Sequence, residues 1–194
     1  MPDYATIYDH VMASHPGYAD PAHSPGCQRL LMERDRVRAC GGPALDVGCG
    51  RGYAVELLRG RLFGIDAVGV DVSGVAVDAG NERMGGQYLR IMEAGRIPFP
   101  DCSFPLVTCF DVLEHLDECD VLSTRDELVR VLQPGGLLLC TAATRPAGSL
   151  DALGDNLHRT VRPPWWWCDV LDPDEAHWER RGDDLLMVIT KSGG

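Results

Sequence analysis

Residues 44–53 read Ala-Leu-Asp-Val-Gly-Cys-Gly-Arg-Gly-Tyr. A short apolar run with an acid near its end leads into glycines at alternate positions, and a helix-like segment, 53–58, follows. Glycine tolerates positive φ and lets a ligand lie against the backbone, while the first turn of a helix presents unpaired N–H groups. The stretch therefore predicts a buried strand, a tight cofactor-binding loop and a helix.

The spacing of these glycines distinguishes between cofactors. The dinucleotide fingerprint is Gly-x-Gly-x-x-Gly. In this chain the third glycine, Gly52, comes one residue earlier, and Asp46 precedes the first, Gly48. A carboxylate beside the loop suits a cationic ligand better than a pyrophosphate. The pattern argues against a dehydrogenase and resembles motif I of the class I S-adenosylmethionine-dependent methyltransferases, whose cofactor carries a cationic sulfonium.

A second strand is predicted over residues 67–70 and leads to Asp71. At that position a Rossmann-like fold binds both hydroxyls of a ribose, because one carboxylate can accept two hydrogen bonds. An acid at the end of a strand often serves instead as the N-cap of the next helix, and Ser73 is a second candidate for that cap. Behind the glycine loop we favour ribose binding.

Later segments extend the resemblance over residues 40–145. Residues 91–104 are similar to the family's third-strand ending, in which an acid and an alanine border the adenine. Residues 105–116 are similar to its fourth strand and the opening of the next helix, and residues 129–144 to a helix, a Pro-Gly-Gly turn and an apolar fifth strand. The resemblance implies S-adenosylmethionine as cofactor, S-adenosylhomocysteine as product and no metal. The implied cofactor contacts are Asp46, Gly48, Cys49, Gly50, Gly52, Asp71, Val72, Glu93, Ala94, Phe110, Asp111 and Val112.

The implied fold is α/β: a Rossmann-like seven-stranded sheet, mostly parallel with an antiparallel last strand, and helices on both faces. We predict a single domain over residues 1–194. It comprises an N-terminal cover segment (1–25), a cofactor-binding core (26–145), and a substrate loop with a C-terminal β-hairpin (146–194). A partly ordered leader is the alternative interpretation of residues 1–25. One helix is predicted ahead of the first strand, over residues 27–40.

The C-terminal part contains three successive tryptophans, 165–167, behind two prolines that are suited to open a helix. Successive residues point in different directions around a helix, so at most two of the three rings share a buried face. Packing against the sheet is the simpler function, and an aromatic wall for a flat or cationic substrate is the alternative. Residues 176–180 and 184–191 are predicted to pair as a hairpin.

Methyl transfer mainly requires that an acceptor lone pair be aligned with the methyl group. An oxygen acceptor also needs a base, and His115 and His158 are the candidates because histidine titrates near neutral pH. A purely structural role is the alternative for each. The sequence lacks the motifs of methyltransferases that act on exocyclic base amines or on cytosine C5, and the motif of those that bind a catechol through magnesium. These absences favour an oxygen or nitrogen atom of a small molecule as the methyl acceptor. An RNA or protein acceptor and a non-catalytic cofactor-binding protein remain alternatives.

Composition agrees with one globular domain. The 194 residues are 45% hydrophobic and 24% charged, and 18 Lys and Arg stand against 29 Asp and Glu, a net charge of −11. So acidic a chain makes nucleic acid an unfavourable partner. The N-terminus lacks a secretory pattern, no apolar run reaches membrane length, and the eight cysteines form no Cys-x-x-Cys pair. We therefore expect reduced thiols in a cytoplasmic protein without a membrane partner.

Overall fold

The computed structural model describes residues 3–15, 17, 20–151, 154–179 and 184–192. Its strands are β1 (Ala44–Val47), β2 (Ala67–Asp71), β3 (Leu89–Ile91), β4 (Phe104–Phe110), β5 (Leu132–Ala143), β6 (Glu175–Glu179) and β7 (Asp184–Thr190). Its helices are α1 (Tyr4–Ser14), α2 (Pro25–Met32), α3 (Arg34–Cys40), α4 (Tyr53–Arg59), α5 (Gly74–Met84), α6 (Glu118–Val131) and α7 (Pro164–Leu171). Short 3₁₀ turns cover Pro21–His23 and Leu113–His115.

The strands form one seven-stranded sheet in the order β3-β2-β1-β4-β5-β7-β6. The pairs from β3 to β5 are parallel, whereas β7 is antiparallel to both β5 and β6. This arrangement confirms the predicted Rossmann-like sheet and its antiparallel last strand. The strand order reverses between β1 and β4, and open α/β sheets bind ligands in the crevice at such a reversal.

Alternate residues of the central strands enter two separate cores. In β4, Val107 and Cys109 belong to the core that contains residues of α6 and α7. Leu106 and Phe110 belong to the core on the other face, with residues of α2, α3, α4 and α5. Strands covered on both faces read as nearly continuous apolar runs, which is why their positions could be predicted from the sequence.

The segment predicted as one helix over residues 27–40 is two helices. Glu33 closes α2, because its N–H donates to Arg29 O at 2.9 Å. Its φ of −95° and ψ of 17° depart from helical geometry before α3 begins. The single-helix prediction was therefore wrong. The break could not be foreseen because no glycine or proline marks it in the sequence.

The N-terminal helix α1 was not predicted as a helix. Val11 and Met12 are its buried apolar residues, so its apolar spacing gives little helical signal. Asp3 caps the helix by accepting a hydrogen bond from the Thr6 N–H at 3.1 Å. Its remaining support comes from contacts with distant parts of the chain.

Helix α7 begins at Pro164, in agreement with the proline pair in the sequence. Trp167 is fully buried, Trp166 packs against the same core, and Trp165 is 65% exposed. Packing is thus confirmed as the role of two of the three rings. The predicted C-terminal hairpin is formed by β6 and β7, and the turn predicted over residues 181–183 lies outside the described residues.

All eight cysteines are free, as predicted. Cys109 and Cys140 are buried on the adjacent strands β4 and β5, where they serve as small core residues. Within the described part of the chain, no helix combines the length and the apolar composition that a membrane crossing requires.

Candidate functional site

A cavity of about 960 Å³ opens at the carboxyl ends of the parallel strands. Four strands contribute their last residues to its lining: Val47, Asp71, Phe110 and Ala143. The glycine loop after β1 and residues of α1 also line it. The cavity therefore lies at the edge of the sheet where the reversal in strand order predicts a ligand site.

Three glycines account for the shape of the loop. Gly48, Gly50 and Gly52 have positive φ values of 72°, 52° and 75°. A Cβ on Gly48 would overlap the Val112 side chain, so the loop packs tightly there. A Cβ on Gly50 would lie 3.7 Å from Met12 Cε, an ordinary van der Waals distance, and both residues line the cavity. The backbone at Gly50 is therefore open to a ligand.

Asp71, the predicted ribose ligand, also holds the loop. Its Oδ2 accepts a hydrogen bond from the Gly50 N–H at 2.7 Å, and its Oδ1 accepts one from the Ser73 N–H at 2.9 Å. Burial raises the pKa of this carboxyl even though these donors act in the opposite direction. Ser73 caps α5, because its hydroxyl accepts from the Ala76 N–H. The capping role considered for Asp71 thus belongs to Ser73.

Asp46 lies within β1 and is only 3% exposed. The Thr108 hydroxyl donates to its Oδ1 at 2.6 Å. Burial raises the pKa of Asp46 to about 7, the Thr108 hydrogen bond opposes the rise, and the nearby charge of Asp71 adds to it. This carboxyl is therefore balanced between its neutral and charged forms near neutral pH, so a cationic ligand would favour the charged form.

The predicted cofactor contacts all line the cavity except Gly52. Gly52 is the N-cap of α4 in a left-handed conformation, and a Cβ there would lie only 2.7 Å from Leu89 Cδ1, so this glycine serves the turn and its packing. Asp111 adopts a left-handed φ of 54°. Its N–H donates to Thr141 Oγ1 at 2.9 Å, which holds this strained conformation at the cavity wall.

Helix α1 contributes cavity residues that the sequence analysis did not assign individually to the site. Tyr8 and Met12 both line the cavity. The Ser73 hydroxyl donates to Asp9 at 2.7 Å, and Arg51 donates to the Met12 carbonyl at 3.0 Å. These contacts hold α1 against the start of α5 and the glycine loop. They join residues far apart in the sequence, so no local pattern could predict them.

The two candidate bases meet at one end of the cavity. His115 lies in the turn after β4 and His158 in the loop after β5, and their rings pack edge to face with centroids 4.7 Å apart. Nδ1 of His115 is 3.0 Å from Leu157 O, and Nδ1 of His158 is 2.6 Å from Arg145 O. A carbonyl oxygen only accepts, so each Nδ1 carries the proton and each Nε2 keeps its lone pair.

Both imidazoles are held in the neutral form. Burial, followed by the neighbouring His158, lowers the pKa of His115 to about 4. Burial also lowers the pKa of His158. The Tyr8 ring stands edge to face with His115, with centroids 5.5 Å apart, so α1 closes over the histidine pair.

Glu114 is a further polar residue at this end, and the sequence analysis did not single it out. It lines the cavity although it is only 1% exposed. Burial, followed by the charge of Asp111, raises the pKa of Glu114 well above its usual range. Its Oε1 accepts from the Ala143 N–H at 3.1 Å, whereas Oε2 lacks a hydrogen-bond partner among the described residues. The only feature of the sequence that could have indicated Glu114 as a site residue was its position next to His115.

The tryptophan run does not contribute to the site. In the described part of the chain, no residue of α7 lines the cavity. Among the described residues, the tyrosine and phenylalanine rings that line it are Tyr4, Tyr8, Tyr53 and Phe110. The proposed aromatic wall is therefore not formed by residues 165–167.

The cavity fits the cofactor that the sequence implies. The open backbone at Gly50 leaves space where a side chain would otherwise stand. Asp46 and Asp71 are buried carboxyls, which suit a ligand with a sulfonium and ribose hydroxyls. A volume of about 960 Å³ is near the top of the range of roughly 300–1,000 Å³ for small-molecule sites, so a cofactor leaves room for a small second ligand.

Known proteins resemble this chain in sequence and in fold. A family model described as a methyltransferase domain matches residues 45–140. The chain is 30% identical over 131 residues to a probable S-adenosylmethionine-dependent methyltransferase of Mycolicibacterium smegmatis, covering 67% of this chain and 49% of that protein. It is 31% identical over 169 residues to malonyl-[acyl-carrier protein] O-methyltransferase 1 of Coxiella burnetii, covering 87% and 55%. A solved structure from Pyrococcus horikoshii shares the fold, with a TM-score of 0.75, 16% identity, and coverage of 95% and 99%.

The chain spans about half the length of the curated relatives it matches, from 41% to 55%. Further relatives are named as a demethylmenaquinone methyltransferase of Staphylococcus saprophyticus and a ribosomal protein L11 methyltransferase of Desulfosudis oleivorans, so the names differ in the acceptor. The matched residues begin in β1, include the glycine loop and reach into β5. By this match and by its sheet order, the chain belongs to the class I S-adenosylmethionine-dependent methyltransferases.

Proposed function

We propose that this protein transfers a methyl group from S-adenosylmethionine to an oxygen or nitrogen atom of a small-molecule acceptor. The observation that carries the proposal is that one cavity contains both the loop at Gly50 with Asp71 and the pair His115 and His158. The loop and Asp71 suit the cofactor, and the histidine pair offers lone pairs to an acceptor. These two features in one space support methyl transfer to an acceptor bound beside the cofactor.

The cofactor end is assigned to residues that line the cavity. When bound, S-adenosylmethionine would supply a methyl group activated by its sulfonium, and attack of an acceptor lone pair on the methyl carbon would displace S-adenosylhomocysteine in line. We assign ribose binding to Asp71, the border of the adenine to Glu93 and Ala94, and stabilisation of positive charge to Asp46. Gly50 lets the ligand approach the backbone, because no side chain stands there.

The acceptor end is assigned to the two histidines. Because each Nδ1 faces a carbonyl oxygen, each Nε2 can accept a hydrogen bond or a proton from an acceptor hydroxyl. A pKa of about 4 makes His115 a weak base. We therefore assign proton removal to His158 and orientation of the acceptor to His115, whose ring is in contact with both His158 and Tyr8.

The same geometry supports the roles that we assign to the cover segment and the substrate segment. Residues 1–25 include α1, whose contacts with Ser73 and Arg51 place it beside the cavity. Residues 146–194 include the loop with His158 and the strands β6 and β7. We propose that α1 closes over bound cofactor and excludes water, and that the loop admits the acceptor. Residues 26–145 form the cofactor-binding core.

A small acceptor is favoured by the size and the charge of the molecule. The cavity is roofed in part by α1, and a net charge of −11 opposes a polyphosphate acceptor. A protein acceptor is the second candidate. The observation that favours it is the 32% identity, over 82% of this chain, to a protein named as a ribosomal protein L11 methyltransferase.

The experiment is a turnover assay with S-adenosylmethionine, in which S-adenosylhomocysteine is quantified by mass spectrometry. One arm contains phenols, quinols, carboxylic acids, acyl thioesters and amines, another contains ribosomal proteins, and a third contains RNA. We expect product in the small-molecule arm, with much slower turnover but unchanged cofactor affinity in His158→Ala. Product in the protein or RNA arm alone would refute the small acceptor. Tight cofactor binding without turnover in every arm would indicate a non-catalytic binding protein.

A further inference from the structure

Three side chains at the acceptor end of the cavity converge on one point. Glu114, His115 and His158 each offer one ligand atom, and these atoms all lie within 4.8 Å of one another. Glu114 and His115 lie in the turn after β4, and His158 comes from the loop after β5. The cluster therefore exists only because the fold brings the ends of two neighbouring strands together.

The two imidazoles are oriented as metal ligands are. Nδ1 of His115 faces Leu157 O, and Nδ1 of His158 faces Arg145 O. Histidines that bind metals usually donate their other ring N–H to a carbonyl or carboxylate, which fixes the tautomer and the direction of the ring. Both residues thus have this outer support, and Nε2 of each keeps its lone pair for a ligand.

Glu114 provides an independent indication of a missing partner. Its side chain is almost fully buried, and its Oε2 lacks a hydrogen-bond partner among the described residues. A buried polar atom without a partner costs free energy, so native proteins usually satisfy such atoms with protein, water or an ion. A cation beside the histidine pair would satisfy this oxygen.

We propose that Glu114, His115 and His158 bind a divalent transition-metal cation, with Zn²⁺ as the representative ion. Two imidazole nitrogens and one carboxylate oxygen suit zinc and its neighbours, whereas Mg²⁺ and Ca²⁺ prefer oxygen ligands. With bonds of about 2.1 Å, tetrahedral ligand atoms stand about 3.4 Å apart. The ligand atoms must therefore approach one another by at most about 1.4 Å, since they lie within 4.8 Å.

Three protein ligands leave coordination positions open toward the cavity, as in catalytic rather than structural zinc sites. The sequence predicted no metal, and methyl transfer in this family requires none. The cation is therefore an additional ligand, and its role rests on the proposed function. A bound cation would lower the pKa of a coordinated acceptor hydroxyl, whose proton would pass to water. In this metal-bound form His158 would act as a ligand, and it would act as the base only in the metal-free form.

The test uses chelator-treated full-length protein and Zn²⁺ alone, titrated by calorimetry, with Co²⁺ absorption as a spectroscopic readout. We expect a single site whose affinity falls by at least about tenfold in both His158→Ala and Glu114→Gln. The matched control is His177→Ala, because His177 is an exposed histidine beside Glu175 on β6, outside the cavity. That variant should bind Zn²⁺ like the unaltered protein.

Unchanged Zn²⁺ affinity in His158→Ala would overturn the proposal. An equal loss in His177→Ala would overturn it as well, because it would indicate adventitious surface binding. A thiolate-to-cobalt charge-transfer band would show that the ion binds to cysteine and would also overturn the proposal. The affinity for S-adenosylhomocysteine is measured in the same samples. Cofactor binding without Zn²⁺ binding refutes only the metal site, and Zn²⁺ binding without cofactor binding refutes only the proposed function.

Discussion

The Gly50 N–H donates a 2.7 Å hydrogen bond to Oδ2 of Asp71, which joins the glycine loop after β1 to the end of β2. The other carboxylate oxygen accepts from the Ser73 N–H at the start of α5. One buried side chain thus holds the loop, the strand end and the helix start in register. The residue assigned to the ribose is therefore also a structural residue, and the two roles have to be separated by experiment.

Replacement of Asp71 should weaken both stability and cofactor binding. In Asp71→Ala, the Gly50 and Ser73 N–H groups lose their acceptor, which should lower the free energy of unfolding by roughly 2–4 kcal/mol. Asp71→Asn keeps one acceptor oxygen and should lose roughly half as much. Urea denaturation and calorimetric titration with S-adenosylhomocysteine measure the two effects. Unchanged affinity in a folded Asp71→Asn protein would contradict ribose binding by this residue.

A methyl group on Gly50 should block the cofactor without unfolding the protein. Gly50→Ala adds a side chain in the open part of the cavity and incurs the strain of a positive φ, about 1–2 kcal/mol. Gly64→Ala is the matched control, because Gly64 has a φ of 66° and no atoms near its Cβ position. Both variants should lose similar thermal stability, but only Gly50→Ala should lose at least about tenfold in cofactor affinity. Equal affinities would show that the ligand does not approach Gly50.

The preference for S-adenosylmethionine over S-adenosylhomocysteine should depend on pH. The pKa of Asp46 is about 7 in the free protein, and a sulfonium favours its charged form. Affinity for the sulfonium ligand should therefore rise severalfold as pH rises through about 7, relative to the uncharged thioether. Calorimetry with both ligands on either side of that pH measures the ratio. In Asp46→Asn the ratio should no longer vary with pH, and a ratio that still varies would exclude Asp46 as the cause.

His115 should make the protein sensitive to acid. Its pKa falls from 6.5 to about 4 on folding, so between these values the unfolded chain binds the proton and the folded chain does not. The free energy of unfolding is unaffected by this group above its pKa in the unfolded chain. It decreases as pH falls toward the pKa in the folded protein, by roughly 3 kcal/mol in total. Denaturation of His115→Asn across this window should show a shallower loss than the parent protein. The control His177→Asn should lose stability with falling pH as the parent protein does. If His115→Asn lost stability just as steeply, His115 would not be the source of the acid sensitivity.

Release of α1 should speed up cofactor exchange. Asp9 accepts hydrogen bonds from the Ser73 hydroxyl at 2.7 Å and from the Val75 N–H at 3.0 Å, so it docks α1 on α5. Asp9→Ala should increase the dissociation rate of S-adenosylhomocysteine severalfold in stopped-flow fluorescence. Asp3→Ala is the control, because Asp3 caps α1 itself through Thr6 without reaching α5. Equal rates in all three proteins would refute the role of α1 as a cover.

The sequence predicted the sheet well because its signals are local. The apolar runs of β1, β2, β4 and β5 are buried on both faces, and the glycine loop imposes its own turn through backbone conformations that other residues avoid. The same reasoning missed α1 and the break at Glu33. Helix α1 has a weak apolar pattern and depends on contacts with Ser73 and Arg51, and Glu33 is a residue that elsewhere favours a continuous helix.

The class of cofactor and the fold could thus be predicted from residue types at fixed spacings. A glycine loop, a strand end and a turn each depend on residues that are neighbours in the chain. The acceptor end was not. His115 and His158 were candidates as individual residues, yet their contact and the orientation of their ring nitrogens arise only when β4 and β5 lie side by side. The same holds for the buried Glu114 oxygen, which lacks a partner within the described part of the chain. Burial also changes the chemistry of these groups: it moves the pKa of His115 to about 4 and that of Asp46 to about 7. Desolvation depends on everything packed around a group, so only the tertiary structure determines it.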